Sequence, residues 1–399
     1  MGNCPGTRVN AGGCIPLSPP TLTRPYLPQL DGLRGIAIFG VLVFHFNSSE
    51  VGWAGLGFQV GFFELGWTGV TLFFVLSGYL ITQILLATRD EPHYFRNFYT
   101  RRALRIFPAY YLMLILAYRA GKDLSLMDPQ SGPSEWPFYA FYLSNYWLGA
   151  NAFRTPMSPL LGLSWTLSVE EQFYLLWPFV VRALSARALA GLCAALVIAS
   201  PLLRWGMLYA SDNPLLTHVS LSSNFDGLAL GGLIAVLRQD SGLMRWTAPR
   251  IGLALAGVSG LALAALFHAH GFHYFSDSRV WMSATVNTLF FPALVAIFFS
   301  GILMLALVSE SRFARLLSFR PLVALGRISY GVYLYHVLVS FVLTRAFWID
   351  VFLPIPGNEP HPAVVPLLYF ARFAVTILIA AISFRYLEMP LLKLKARFA

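Results

Sequence analysis

The chain has 399 residues, of which 57% are hydrophobic and only 12% are charged, and its mean hydropathy is +0.63. A soluble chain of this length would carry about twice that charged fraction, so the composition excludes an ordinary soluble protein and indicates an all-α polytopic membrane protein. The net charge of +10 needs no nucleic-acid partner, because membrane proteins keep basic residues in their cytoplasmic loops.

The chain begins with a polar leader rich in glycine and proline, residues 1–28, which we expect to be disordered. It lacks the apolar segment of a signal peptide. Cys4 and Cys14 in this leader, and Cys193 in a later apolar stretch, have no metal-ligand spacing, so we predict no metal site from them.

Apolar stretches of near membrane-spanning length predict a transmembrane domain over residues 29–390, followed by a basic cytoplasmic tail, 391–399. Ten spans are predicted: 32–46, 61–87, 106–118, 169–184, 188–204, 222–238, 250–268, 284–308, 328–346 and 363–385. An eleventh apolar segment, 136–149, is short and rich in aromatic residues.

The distribution of lysine and arginine predicts the orientation of these spans. With ten spans and both termini in the cytoplasm, the inner loops hold 19 basic residues and the outer loops hold five, including Arg204. If 136–149 also crossed the membrane, the split would be 10 inside to 14 outside. The positive-inside rule therefore favours ten spans, with 136–149 as an interfacial or re-entrant helix on the outer side.

Span one contains two polar residues, Arg34 and His45, eleven positions apart. On a helix they share one face, about 16 Å apart along the axis, with Arg34 near the inner surface and His45 near the outer one. Such residues are costly inside a membrane and are functional candidates, although a polar pair buried against partner helices is an equally simple interpretation.

Arg102 and Arg105 precede span three and are three residues apart, so they point the same way on a helix. Paired guanidinium groups can hold a phosphate through bidentate hydrogen bonds. The competing interpretation is a basic anchor beside the membrane, which is common in membrane proteins.

The run Ser164–Tyr174 places Glu170 and Glu171 near the outer start of span four. Ser168 and Glu171 fit a capping box, whereas Glu170 lies on another face and can turn inward. Asp226 lies near the outer end of span six. In span nine, the spacing of Ser329, Tyr333 and His336 places them on one stripe of the helix. Packing between helices also accounts for that stripe.

Two further sets of residues are interpreted as structural. Arg372, inside span ten, is expected to pair with an interior carboxylate. His268, His270 and His273 could hold zinc, but we interpret them as part of a solvated loop.

At these residues the chain resembles the acyltransferase-3 family of membrane O-acyltransferases. The matching runs follow the family's order and cover about residues 28–390: Leu30–His45, Gly69–Ile81, Phe98–Pro108, Ser164–Tyr174, Gly326–His336 and Glu388–Pro390. The resemblance implies ten membrane helices, an acyl-CoA donor, a hydroxyl acceptor on a sugar, envelope glycan or small metabolite, and His45 as the catalytic residue. One departure is Asn224, since many relatives carry arginine two residues before the aspartate of span six.

We therefore predict an acyl-CoA-dependent O-acyltransferase of the plasma (inner) membrane, without a permanently bound cofactor or a metal. Arg34, Arg102 and Arg105 are expected to bind the donor, and His45, oriented by Glu170, to act as general base. A route through an acyl-histidine is also compatible with an imidazole. We expect substrate contacts from the other matching runs and from span six, at Ser164, Trp165, Gln172, Asp226, Tyr330 and His336.

Two other classes of protein would use the same polar residues differently. A transporter or flippase of a glycan or lipid-linked substrate would use Arg34, Asp226 and Arg372 as substrate or proton sites. The absence of a visible inverted repeat weighs modestly against it. A membrane scaffold would leave so many intramembrane polar residues without a role. The sequence makes no prediction of oligomeric state.

Overall fold

The computed structural model describes residues 7–10, 13–16, 26–47, 65–123, 135–151, 154–155, 158–211, 213–239, 241–270, 285–345 and 364–394. Helices dominate these ranges, which confirms the predicted all-α polytopic class. Two short antiparallel strands, Thr7–Asn10 (β1) and Gly13–Pro16 (β2), form a hairpin in the leader. The rest of residues 1–25 lies outside the described residues, so the disorder of the leader stays a prediction.

The described residues of the first half of the chain form eight α-helices. They are α1 (Pro28–Asn47), α2 (Gly69–Ala87), α3 (Tyr94–Asp123), α4 (Trp136–Ala140), α5 (Ser144–Ala150), α6 (Ser158–Leu161), α7 (Ser164–Ala183) and α8 (Ala186–Ser211). A 3₁₀ turn, Leu65–Thr68, leads into α2.

In the second half, the ranges given above continue with nine α-helices. They are α9 (Pro214–Val219), α10 (Phe225–Leu237), α11 (Ser241–His270), α12 (Thr285–Ala306), α13 (Arg312–Leu317), α14 (Arg320–Arg327), α15 (Ser329–Arg345), α16 (Val364–Ser383) and α17 (Met389–Leu394). A 3₁₀ turn, Ser222–Asn224, precedes α10, and a π-helical turn, Phe384–Glu388, joins α16 to α17.

Every predicted span overlaps a helix. Among the described residues, seven helices are long and apolar enough to cross a membrane, and the bent pair α14–α15, which turns by 72°, would make an eighth. The remaining two predicted spans correspond to α7, whose first half is polar, and to the shorter apolar segment Ser222–Leu237. The multi-pass character is therefore established, whereas the count of ten and the cytoplasmic termini stay predictions.

Three helices begin well before their predicted spans. The spans were expected to begin at 106, 169 and 250, but α3 begins at Tyr94, α7 at Ser164 and α11 at Ser241. Arg102 and Arg105 therefore lie about 12 and 16 Å along α3, and Glu170 lies about 9 Å along α7. The prediction that placed the arginines and Glu170 near opposite surfaces is wrong, because Arg102, Arg105 and Glu170 line the same cavity.

The polar start of α7 remains helical because its side chains bond to other parts of the chain. Leu163 is the residue before the helix, and Ser168, which was expected to cap it, is buried one turn inside. The Ser168 hydroxyl lies 2.8 Å from that of Ser144, which accepts a hydrogen bond from Ser164 at the same distance. The capping-box interpretation of Ser168 and Glu171 is therefore wrong.

Two further expectations need correction. Segment 136–149 is two short helices, α4 and α5, separated by a turn in which Tyr142 has a φ of 54°.

Arg204, which was counted as an outer-loop residue, is buried inside α8. It therefore belongs to the interior of the bundle and does not report on the sidedness of a loop.

Glycines allow α2 and α10 to pack with their backbones in contact. A Cβ atom added to Gly231 of α10 would overlap the carbonyl oxygen of Val75, and one added to Gly78 of α2 would overlap that of Leu228. Small residues of this kind let membrane helices approach closely, and here they hold α2, which lines the candidate site, against the centre of the bundle.

We expect Gly231→Ala to lower the midpoint of thermal unfolding in detergent, because the added methyl group forces apart two backbones at a cost of about 1–3 kcal/mol. Gly191→Ala is the matched control, since Gly191 also lies inside a helix but has no atom within 4 Å of the added Cβ. The control should be neutral or slightly stabilising, because alanine favours helix by about 1 kcal/mol. Equal midpoints for the two variants would contradict the packing argument.

The predicted orientation can be tested at the two ends of α3. Arg96 and Lys122 are exposed and 26 residues apart, about 39 Å on a helix, which exceeds the hydrocarbon thickness of a bilayer. In a background without the three native cysteines, a membrane-impermeant thiol reagent applied to intact cells should label Lys122→Cys but not Arg96→Cys. Labelling of position 96 alone would invert the topology.

Candidate active site

A cavity lies between the first halves of α1, α2, α3, α7 and α15. Its wall combines aromatic rings with an unusual number of polar groups for a membrane protein interior. These polar residues are Arg34, Ser77, Arg102, Arg105, Thr166, Glu170, Glu171, Tyr174, Ser329, Tyr330 and Tyr333. Five predicted site residues, Arg34, Arg102, Arg105, Glu170 and Tyr330, thus meet in one place.

The three arginines come from two helices. Arg102 and Arg105 lie one turn apart on α3, and Arg34 of α1 is near enough to both for their charges to repel. Asp31 lies 3.6 Å from Arg34, whereas neither Arg102 nor Arg105 has a carboxylate oxygen within 4 Å among the described residues. The Arg102 guanidinium lies over the ring of Tyr174, 4.7 Å from its centroid.

Two carboxylates balance part of this positive charge. Glu170 accepts a hydrogen bond from the Ser77 hydroxyl, which in turn accepts one from Tyr174 at 3.0 Å. Glu170 attracts Arg102 and Arg34 electrostatically, and Glu171 attracts Arg102. Glu170 therefore belongs to the arginine cluster.

The expected orientation of His45 by Glu170 is not what the structure shows. His45 places Nδ1 2.9 Å from the carbonyl oxygen of Val41, one turn earlier on α1, and the described contacts of Glu170 do not include it. The helix itself, rather than a carboxylate, fixes the imidazole. Glu170 is thus a charge partner of the arginines in this structure.

His45 and His336 form a second polar group beside the cavity. Their ring centroids are 5.1 Å apart, with His45 half-buried and His336 fully buried. The His336 ring lies 5.6 Å from that of Tyr333, which lines the cavity and bonds to Thr166 through its hydroxyl at 2.6 Å. Tyr333 therefore connects the arginine cavity to the histidine pair.

Three predicted substrate-binding residues of α7 contact other parts of the protein. Ser164 bonds to Ser144, and the Gln172 amide donates to the carbonyl of Tyr142 at 2.8 Å and to Asn145 at 3.0 Å. Trp165 packs between Phe74, which lines the cavity, and His218, with centroids 6.3 and 5.2 Å away. The serine and glutamine thus hold α5 and the preceding turn against α7.

His218 lies outside the spanning segments, on α9. Burial and, secondarily, the positive charge of Arg204 lower its pKa to about 4. It is therefore neutral at physiological pH, and it packs on Trp165 as an uncharged aromatic ring.

Asp226, a predicted substrate-binding residue, lies away from this cavity in a buried ion pair with Arg204 of α8. Arg204 also donates to the carbonyl oxygens of Ser223, at 2.9 Å, and Leu289, at 2.5 Å. This arginine thereby joins α8, the turn before α10, and α12. Asp226 has a protein partner that accounts for its burial.

The other predicted polar residues also have protein contacts. The Tyr330 hydroxyl donates to the carbonyl of Ile106 at 2.8 Å, at the edge of the cavity. Arg372 donates to the hydroxyl of Thr344, and its predicted carboxylate partner stays a prediction. Among the described residues no three histidine, cysteine or acidic side chains come together as a metal site, and His273 of the histidine cluster lies outside them.

Six polar cavity residues were not predicted to take part in the site: Ser77, Thr166, Glu171, Tyr174, Ser329 and Tyr333. All six lie inside the runs that carry the family resemblance. What the sequence could not show is that a hydroxyl on α2 would meet a carboxylate on α7, because that contact joins residues 93 positions apart.

Comparison with known proteins identifies the family of the chain. The profile of the acyltransferase-3 family, described as an acyltransferase domain, matches residues 27–385. Peptidoglycan O-acetyltransferase OatA of Listeria monocytogenes is 28% identical over 388 residues, 93% of this chain and 56% of that protein. The putative peptidoglycan O-acetyltransferase YrhL of Bacillus subtilis is 31% identical over 383 residues, 92% of this chain and 55% of that protein.

O-acetyltransferase OatA of Staphylococcus aureus is 28% identical over 385 residues, 92% of this chain and 57% of that protein. The chain thus spans little more than half the length of these relatives. No solved structure is significantly similar to it. The match over residues 27–385 includes the arginine cavity and the histidine pair, and it confirms the resemblance noted in the sequence: the chain belongs to the acyltransferase-3 family.

Proposed function

We propose that this protein transfers an acyl group, most simply acetyl, from acyl-CoA to a hydroxyl of a sugar, an envelope glycan or a small metabolite. One observation carries the proposal: Arg102 and Arg105 face a cavity one helical turn apart, and no carboxylate oxygen among the described residues lies within 4 Å of either. Guanidinium groups in that arrangement suit the phosphates of coenzyme A. The relatives' names, which specify O-acetyl transfer to peptidoglycan, favour a glycan acceptor.

In the proposed reaction His45 is the general base. Its Nδ1 contacts a carbonyl oxygen, which can only accept a hydrogen bond, so the proton of the neutral ring is on Nδ1 and Nε2 carries the lone pair. Nε2 removes the proton of the acceptor hydroxyl as its oxygen attacks the thioester carbon. The C–S bond then breaks, and the proton passes to the departing thiolate, which leaves as the thiol of coenzyme A.

The distance between the two sites suits a donor with a long arm. Arg34 and His45 lie about 16 Å apart along α1. The phosphates of coenzyme A would remain at the arginines while the pantetheine arm extends past Arg34 and Tyr333 toward the histidine pair. In the predicted orientation this places the donor on the cytoplasmic side of the plasma membrane and the acceptor toward the outer side.

The transporter alternative has less support. Asp226 pairs with Arg204, and Arg372 donates to Thr344, so both have partners inside the protein. Membership of an acyltransferase family also favours chemistry over transport.

We expect His45→Ala to lower acetyl transfer about 10²–10⁴-fold, as is typical when a general base is lost. The assay is transfer of label from acetyl-CoA to isolated envelope glycans by the purified protein. His268→Ala is the control, because His268 is exposed on α11 and remote in sequence from both sites. Transfer by His45→Ala at the wild-type rate would remove His45 from the mechanism.

We expect Arg102→Lys and Arg105→Lys each to raise the KM for acetyl-CoA about tenfold or more. Lysine keeps the charge but loses the planar fork, and a hydrogen bond between charged groups contributes about 1.5–3 kcal/mol. Arg101→Lys is the matched control, since Arg101 is on the same helix but does not line the cavity. A raised KM for the acceptor, with that for acetyl-CoA unchanged, would assign these arginines to the other substrate.

A further inference from the structure

His336 differs from the other buried groups near the site because half of its hydrogen-bonding capacity is unused. It is 0% exposed, and Nδ1 lies 2.7 Å from the carbonyl oxygen of Tyr333, one turn earlier on α15. Its Nε2 atom has no hydrogen-bond partner among the described residues. A buried polar atom without a partner is costly, so it calls for an explanation.

The contact with the helix fixes the tautomer of His336. Because a carbonyl oxygen only accepts, the proton of neutral His336 is on Nδ1 and Nε2 is a hydrogen-bond acceptor. His45 is held in the same way by Val41. Two imidazoles with centroids 5.1 Å apart therefore both offer an Nε2 lone pair, and in the resting state neither can donate from that atom.

Packing alone does not account for an imidazole at this position. The rings around His336 include Phe46, at 6.2 Å, and Tyr333, at 5.6 Å, and Phe46 in turn packs on Phe373 at 5.0 Å. A phenylalanine would suit such surroundings without leaving a nitrogen unpaired. What histidine adds is an acceptor beside His45.

We propose that His336 is a positioning residue whose Nε2 accepts a hydrogen bond from His45 once His45 is protonated. The inference rests on the proposed function, in which His45 takes the acceptor's proton on Nε2. That N–H loses its partner when the acceptor oxygen bonds to the acyl carbon, and His336 then holds it until the proton passes to the thiolate of coenzyme A. No bond to carbon forms on His336, and the proton count is unchanged.

This interaction exists only after proton transfer has begun, so it stabilises the transition state without contributing to donor binding. Groups of that kind affect kcat and leave KM for the remote substrate unchanged. The carboxylate expected to assist the base, Glu170, is engaged by Ser77 in the arginine cluster. In many enzymes a third group, often a carboxylate, orients the base that activates a nucleophile. His336 has that position relative to His45, with an imidazole instead of a carboxylate.

The test compares two amides at position 336. The side-chain oxygen of glutamine can reach the position of Nε2, whereas the shorter asparagine reaches only that of Nδ1. We expect His336→Asn to lower kcat about 10²-fold, at the lower end of acid–base effects, and His336→Gln to stay within about tenfold of wild type. Neither variant should change the KM for acetyl-CoA. Tyr335→Phe removes a buried hydroxyl from the residue immediately before His336 and should keep the wild-type kcat.

Each result bears on a different claim. Equal kcat values for the Asn and Gln variants, with equal thermal midpoints, would overturn the role of Nε2, and so would a loss of donor affinity in both. If Tyr335→Phe lowered kcat as much as His336→Asn did, altered packing would account for the effect of His336→Asn. A wild-type protein that transfers no acetyl group would instead overturn the proposed function, and this inference with it.

Discussion

The placement of three half-buried arginines inside an apolar helix bundle is the constraint on which the rest of this structure depends. Isolated cations at that depth are expensive, so the surrounding helices must supply opposite charge and hydrogen-bond acceptors. Arg34 has Asp31 on its own helix, and α7 brings Glu170 and Glu171 toward Arg102. The cluster remains incompletely neutralised by close contacts, since Arg102 and Arg105 have no carboxylate oxygen within 4 Å in the described part of the chain. Under the proposed function, the phosphates of the donor supply the missing negative charge.

A buried ion pair elsewhere in the bundle shows how a cation inside the protein is neutralised by the protein alone. Arg204 and Asp226 form an ion pair, and the remaining donors of Arg204 reach backbone carbonyls of two other segments. Asn224, which stands where many relatives carry arginine, donates to the carbonyls of His218 and Ser220 at 2.9 and 2.8 Å. In this chain the cation for Asp226 therefore comes from α8. Arg102 and Arg105 differ from Arg204, because they face a cavity and have no carboxylate oxygen within 4 Å in the ranges that the structure describes.

Much of the architecture follows from the hydrophobic pattern, because every predicted span overlaps a helix. The pattern fails at the starts of α3 and α7, because polar residues form the first turns of both helices and hydropathy alone places the starts too late. Those few turns matter, since they bring Arg102 and Glu170 from predicted opposite surfaces into one cavity. The arginines and His45 could be identified from residue type and spacing. His336 was also predicted, as a substrate contact, but its packing against His45 was not. That contact and the one between Ser77 and Glu170 join distant segments, which a single sequence does not encode in any local pattern.

Two helices fix the separation between the arginine cavity and the histidine pair. On α1 the chain runs from Arg34 at the cavity to His45, and on α15 it runs from Tyr330 and Tyr333 at the cavity to His336. Both helices therefore proceed in the same direction, from a group that lines the cavity to an imidazole. A helix has a fixed rise per residue, so the distance from the cavity to the imidazoles does not depend on loops. If the donor is anchored at the arginine cavity and the acceptor is held at the histidine pair, the helix backbones fix the distance between them along the bundle. Under the proposed reaction the pantetheine arm carries the acyl group across that distance, while the phosphates of coenzyme A and the acceptor each stay on the side of the membrane where they entered.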